Sequence, residues 1–154
     1  MNYDALVRDA LTRVREVMPW EVQRRLESGE TLLLLDVREP AEFAALHIPG
    51  SINVPRGILE QSCEWDYDET VPELAGGRER AIVVICRSGK RSALAADTLQ
   101  RMGFSRVVSL RTGIRGWNDN EQPLQDASGQ TLDPDMVEVM LTSHPRPEQR
   151  ARRG

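Results

Sequence analysis

Cysteine is scarce in this 154-residue chain: Cys63 and Cys86 are the two, and they stand in unlike surroundings. A disulfide-framework architecture is thereby excluded, and a reducing compartment is favoured. The stretch from Met1 to Met18 has no long apolar core and carries charges throughout, so neither a secretory signal nor a membrane anchor is expected there. The expected location is cytoplasmic, with no membrane partner. Aromatic residues make up only 5% of the chain. None lies between His144 and Gly154, where two prolines accompany Arg146, Arg150, Arg152 and Arg153. That tail has the basic charge of a nucleic-acid arm without its stacking groups. It reads as a solvated segment lacking fixed structure, and no nucleic-acid partner is expected.

The length suits one domain with terminal additions, large enough to bury a core without staples. The net charge of −4 conceals an asymmetry. Residues 60–79 carry Glu60, Glu64, Asp66, Asp68, Glu69, Glu73 and Glu79 against only Arg78, whereas residues 87–115 carry Arg87, Lys90, Arg91, Arg101, Arg106, Arg111 and Arg115 against only Asp97. A chain that is acidic overall but basic around one of its thiols suits attraction of a small anion, because local fields steer ligands. Arg101 and Arg106 read more simply as solvating a helix face.

That thiol is Cys86, and the segment from Ala81 to Met102 is built around it. The apolar run Ala81-Ile82-Val83-Val84-Ile85 predicts a strand that ends at Cys86-Arg87-Ser88-Gly89-Lys90-Arg91. Ser92 follows, then Ala93, Leu94, Ala95, Ala96, Leu99 and Met102 at helical spacing, with Gly103 where a helix end favours positive φ. A loop curling into a helix N-terminus aims unpaired amide N–H groups at a common centre, which suits an anion. With Arg87, Lys90 and Arg91 beside it, Cys86 is the candidate nucleophile. A buried structural cysteine is the competing reading. The nearby cations and glycine count against it.

The remaining elements follow in order. Residues 4–14 predict a short amphipathic helix that Asp4 could cap. Glu16-Val17-Met18 predicts an edge strand, Pro19 opens a helix ended by Ser28-Gly29, and Thr31 to Leu35 predicts a strand covered on both faces. Pro40 starts a helical turn, Ser51 to Val54 a second short strand closed by Pro55, and Val107 to Leu110 another strand before the helical turn Gly113 to Trp117. Between Pro55 and Arg80 a loop is expected, with helix near Ile58, Leu59 and Leu74. Cys63 falls in it, and its acidic setting disfavours a resolving role. Asp133-Pro134 predicts the cap and first residue of a helix carrying Met136, Val137, Met140 and Leu141. This alternation predicts an α/β fold with a mainly parallel central sheet flanked by helices on both faces. Asp36 and Cys86 sit at the carboxyl ends of its strands, where functional groups gather. Residues 1–14 form an N-terminal extension, 15–118 the domain, and 119–154 a C-terminal extension.

Three ordered motifs give the chain a family resemblance. The loop from Cys86 to Ser92 is similar to the active-site loop of the rhodanese sulfurtransferases. Asp36-Val37-Arg38-Glu39-Pro40-Ala41-Glu42-Phe43 followed by His47-Ile48-Pro49-Gly50-Ser51-Ile52-Asn53-Val54-Pro55 resembles a second family signature, and Gly113-Ile114-Arg115-Gly116-Trp117 resembles the closing motif. The family usually has two adjacent glycines at that closing motif. Thr112 stands in place of the first, a position where threonine resists the conformation that glycine adopts.

The resemblance implies a single-domain, rhodanese-like fold and a two-step reaction. Cys86 takes the outer sulfur of thiosulfate or a similar anionic donor, then passes it from a persulfide to cyanide, a small thiol or a protein thiol. Amides from Arg87 to Ser92 would stabilise the persulfide, with Arg91 foremost for donor binding and Arg87 and Lys90 behind it. Ser88, Gly89 and Ser92 complete the binding loop. Asp36, Arg38, Glu42 and His47 are implied as supporting residues. No metal or organic cofactor is implied. One alternative is a persulfide carrier or protein-interaction module without turnover. A cysteine phosphatase or arsenate reductase fits less well, because only Arg87 to Lys90 separate Cys86 from Arg91 and Ile85 precedes the cysteine. Phosphatase chemistry needs a loop one residue longer to clamp a phosphoryl group.

Overall fold

The structure is a computed structural model that describes residues 1–154. In chain order, helix α1 (Tyr3–Leu11) precedes strand β1 (Arg15–Val17), α2 (Pro19–Glu27), β2 (Leu33–Asp36), α3 (Pro40–Ala45) and β3 (Ile52–Asn53). A 3-10 turn at Arg56–Ile58 leads into α4 (Leu59–Ser62) and α5 (Pro72–Ala75). Then come β4 (Ile82–Ile85), α6 (Lys90–Arg101), β5 (Val107–Leu110), α7 (Gly113–Asp119) and α8 (Pro134–Leu141), with a last 3-10 turn at Pro147–Gln149. The five strands form one sheet in the order β1-β5-β4-β2-β3. Every pairing is parallel.

The uninterrupted apolar strands are explained by burial on both faces. Along β4, Ile82 and Val84 enter one core and Val83 and Ile85 the other; along β2, Leu33 and Leu35 oppose Leu34. This is the two-residue period of a strand applied to a sheet with helices on each side. Cys86 continues the face of Ile82 and Val84 into the core shared with Leu99 of α6. Trp117 fills the opposite core with Ile114, Val137 and Leu141, and its indole N–H donates to the Pro123 carbonyl at 2.9 Å.

The two extensions pack on opposite sides of the sheet. On α1, Val7 and Ala10 are buried. Arg13 just beyond it pairs with Asp97 of α6 at 2.8 Å. The cap differs from the expected one: the Asn2 side chain accepts the Ala5 N–H at 2.8 Å, while Asp4 lies in the first turn with its carboxylate on Lys90. Asp4 is drawn away because a lysine across the helix pair offers it a full charge. On α8, Asp133 caps the Asp135 N–H as its position predicts, and Val137 and Leu141 are buried while Met136 and Met140 are not. The terminal segment from Pro145 is exposed throughout, forms only the single 3-10 turn and packs into neither core. No helix is long and apolar enough to cross a membrane.

Candidate functional site

β4 delivers Cys86 to the carboxyl edge of the sheet, and the chain then wraps tightly into α6. Gly89 makes that turn possible. Its φ of +97 is in the left-handed region, open to glycine at little cost. The turn brings the Gly89 N–H to 3.1 Å from the Cys86 Sγ. The amides of Arg87, Ser88, Lys90, Arg91 and Ser92 have no partner within the protein, as expected for a loop feeding the first turn of a helix. The sulfur therefore sits beside a set of free N–H donors at the positive end of a twelve-residue helix, the arrangement that stabilises an anion.

Beneath the sulfur lies a short polar relay. Sγ is 3.3 Å from Ser92 Oγ, which is 2.8 Å from Ser109 Oγ on β5. All three side chains are buried. Ser109 was not among the candidates from sequence. Its signal was a hydroxyl placed on the inward face of the otherwise apolar strand Val107-Val108-Ser109-Leu110.

The closing motif holds the loop from behind. The first amides of α7 are used on the thiol loop: Ile114 N–H donates to the Cys86 carbonyl at 2.9 Å and Arg115 N–H to the Arg87 carbonyl at 3.1 Å. A Cβ on Gly113 would overlap those same carbonyls, so this glycine is required by close approach as well as by its φ of +58. Thr112 does adopt the left-handed conformation, with φ +65. Its hydroxyl is bonded to the Arg111 carbonyl, and its side chain fills the space where a Cβ on Gly116 would be. Threonine is accommodated here because glycine four residues later makes room.

The loop cations are less free than their sequence suggests. Arg91 is held by both carboxylate oxygens of Glu42 at 2.7 and 2.9 Å. That hydrogen-bonded pairing lowers the Glu42 pKa and raises that of Arg91. Lys90 donates to Asp4 at 2.8 Å, and Arg87 donates to the Leu141 carbonyl at the end of α8. Each loop cation is thus tied to a different helix.

The four supporting candidates divide. Asp36 and Arg38 form a buried, two-pronged ion pair, with Nη2 to Oδ2 at 2.8 Å and Nε to Oδ1 at 3.0 Å. Arg38 also donates to the Leu46 carbonyl, and Asn53 donates to the carbonyls of both Asp36 and Arg38. This network fixes the strand ends next to the loop. Glu42 reaches the loop through Arg91. His47 is committed elsewhere: its Nδ1 donates to the Phe43 carbonyl at 2.8 Å, its ring stacks on Phe43, and Nε2 accepts from the Gln125 side chain at 3.2 Å. Backbone bonds between His47 and Gln125 pin the C-terminal extension to the domain. A cleft of about 320 Å³ is lined by Ala41, Glu42 and Ala45 of α3, by Met140 and Leu141 of α8, and by Arg87 of the loop.

Cys63 is not part of this site. It is packed among the aliphatic side chains of Leu59 and Leu74.

Comparison with known proteins identifies the family. A family model described as a rhodanese-like domain matches residues 18–120. The chain is 32% identical over 116 residues to a sulfurtransferase of Allochromatium vinosum, covering 75% of this chain and 99% of that one. It is 37% identical over 95 residues to the Bacillus subtilis protein "Putative sulfur carrier protein YrkF", covering 62% of this chain but only 46% of the relative's length. Among solved structures, a Rhodopseudomonas palustris protein described as a possible tyrosine phosphatase superposes with a TM-score of 0.72 at 27% identity, over 81% of this chain and 95% of that one. From residue 18 to residue 120, this chain belongs to the rhodanese-like domain family, whose members include sulfurtransferases and sulfur carriers.

Proposed function

We propose that the protein is a cytoplasmic sulfurtransferase that carries sulfane sulfur as a persulfide on Cys86, with thiosulfate or a similar anion as donor. The observation that carries the reading is the environment of the sulfur: Cys86 Sγ accepts the Gly89 N–H at 3.1 Å among loop amides that have no other partner. In the first half-reaction the thiolate attacks the outer sulfur of thiosulfate. The donor's S–S bond breaks, sulfite leaves with the electron pair, and a Cys86 persulfide forms. The anionic terminal sulfur then lies where the free amides of Arg87 to Ser92 can receive it. In the second half-reaction cyanide or an acceptor thiolate attacks that terminal sulfur, and Cys86 leaves as thiolate. The cleft beside Arg87 offers an approach for a thiol acceptor of a small molecule or protein. Asp36, Arg38 and Glu42 serve as positioning residues, and His47 as a structural anchor.

The test is intact mass of the purified protein after thiosulfate and then after cyanide, with Cys86→Ser alongside. The wild type gains one sulfur and loses it to cyanide, and the variant gains none. No gain from thiosulfate overturns the donor assignment. No gain from any persulfide or thiosulfonate donor overturns the sulfurtransferase reading itself.

A second reading, a dedicated carrier whose acceptor is a partner protein, is favoured by the name of the Bacillus relative. A carrier retains its sulfur in cyanide-free buffer and releases it faster to a protein thiol than to dithiothreitol. Phosphatase chemistry is opposed by the loop: Arg91, the only arginine near a clamping position, is already spent on Glu42.

A further inference from the structure

An anion approaching Cys86 meets few uncommitted cations. Lys90 and Arg91 each face a carboxylate, at 2.8 and 2.7 Å respectively, and Arg87 is turned to the Leu141 carbonyl. Binding must then rest largely on hydrogen-bond donors that have no partner. The loop amides are one group. Tyr3 supplies another.

Tyr3 is brought to the loop by the N-terminal extension. It opens α1, which packs along α6, and the far end of that packing is fixed by Arg13 on Asp97. At the near end, Lys90 Nζ lies 5.5 Å from the Tyr3 ring centroid and 2.8 Å from Asp4 Oδ1. Residues 3 and 4 therefore sit beside Lys90, the first residue of α6, directly after the N-cap Gly89 whose N–H meets the Cys86 sulfur. Tyr3 is 48% exposed, and the side-chain hydrogen bonds made around it, from Ala5 to Asn2 and from Lys90 to Asp4, leave its hydroxyl unused. Its pKa is raised, by partial burial first and then by the charge on Cys86, with Arg91 and Lys90 opposing. The hydroxyl is thus protonated at neutral pH, able to donate, and within the field of the thiol and both loop cations.

We infer that Tyr3 is a substrate-binding residue: its hydroxyl donates a hydrogen bond to an oxyanion group, of sulfonate or sulfate geometry, seated at the mouth of the Cys86 loop. The identity of that group as the sulfonate end of a sulfur donor rests on the function proposed above, but the anion site does not. Tyr3 lies outside the matched residues 18–120, so the extension contributes a contact that the domain alone lacks.

Sulfate, which has no sulfur to transfer, separates the two claims. The rate at which iodoacetamide modifies Cys86 is measured by mass at constant ionic strength as sulfate is raised, in wild type and Tyr3→Phe. The phenylalanine variant keeps the ring under Lys90, and equal melting temperatures confirm its fold. Sulfate slows modification of the wild type, and Tyr3→Phe raises the half-protecting concentration about fivefold, the loss of one charge-assisted hydrogen bond at a half-exposed site. The KM for thiosulfate rises by a similar factor with kcat within about twofold, while the KM for cyanide is unchanged. An unchanged half-protecting concentration in the variant overturns the inference, as does absence of protection in both proteins. A wild type that is protected by sulfate yet takes no sulfur overturns the proposed function and leaves the Tyr3 result to stand by itself.

Discussion

Cys63 and Cys86 are both buried, at 0% and 1% exposure, and both belong to the same core. Around Cys63 the neighbours are Leu59 and Leu74, and the nearest charges include Glu60 and Glu64. Burial pushes its thiol up to about 11, with those glutamates adding to the effect and Arg78 opposing it. Around Cys86 the neighbours are an amide N–H, two hydroxyls in series and a helix N-terminus. Burial by itself makes a thiol inert, because it penalises the charged form. Burial combined with donors aimed at the sulfur offers a charged sulfur the stabilisation that water would otherwise supply.

The comparison is broken most completely by alkylation. At pH 8 the native protein is expected to take one iodoacetamide, on Cys86, and a second on Cys63 only in denaturant. Labelling of native Cys63 at a rate comparable to Cys86 would show that the two environments are not different in the way described.

Next in size is removal of the support beneath the thiol loop. Asp36→Ala leaves Arg38 buried without its partner and is expected to cost about 3–5 kcal/mol in urea unfolding. Asp36→Asn, which retains hydrogen-bond acceptance, is expected to cost less. A loss under about 1 kcal/mol for the alanine variant would mean that the pair is solvated in solution.

A smaller effect tests how α7 backs Cys86. Gly116→Ala forces a methyl onto the Thr112 side chain and is expected to cost about 2 kcal/mol. In a Thr112→Gly background the same change is expected to be nearly neutral. A double-mutant cycle reads the coupling directly, and additive costs would sink the explanation given for threonine at this position.

The smallest effect is at the other thiol. Cys63→Ala is expected to leave sulfur loading unchanged and to cost about 1 kcal/mol at neutral pH through lost packing. Its pH dependence follows from the raised pKa. The thiol titrates higher in the folded protein than in the unfolded chain, so its contribution is complete below the ordinary value of 9.0 and is lost as pH rises towards about 11. Melting temperatures of the wild type should therefore fall more steeply than those of Cys63→Ala across that window.

Much of this molecule was legible in one dimension because its signals are local. The strands β2 and β4 declared themselves as unbroken apolar runs, Pro19, Pro40 and Pro134 marked helix starts, and Cys86 with Gly89 announced a tight loop entering a helix. The family motifs singled out the Cys86 loop as the candidate site, and the closing motif is the turn whose amides bond to that loop. Less was legible wherever the deciding contact is long-range. Nothing in the order of residues says that Lys90 finds Asp4, that Arg91 finds Glu42, or that Arg87 reaches the carbonyl of Leu141. A count of cations near the thiol therefore overstated the free positive charge.

The sequence by itself determined the alternation of strands and helices, the placement of Cys86 at a strand end, and the glycines that let the loop close, because each depends on backbone preference and side-chain period over a few residues. Only the tertiary structure decided what each polar group does. It made Cys63 a core residue, turned His47 to Phe43 and Gln125, joined Ser92 to Ser109 beneath the sulfur, and set the Tyr3 ring against Lys90. The physical reason is that packing brings each side chain its neighbours from elsewhere in the chain, and for His47, Ser92 and Ser109 those neighbours are the hydrogen-bond partners that burial demands.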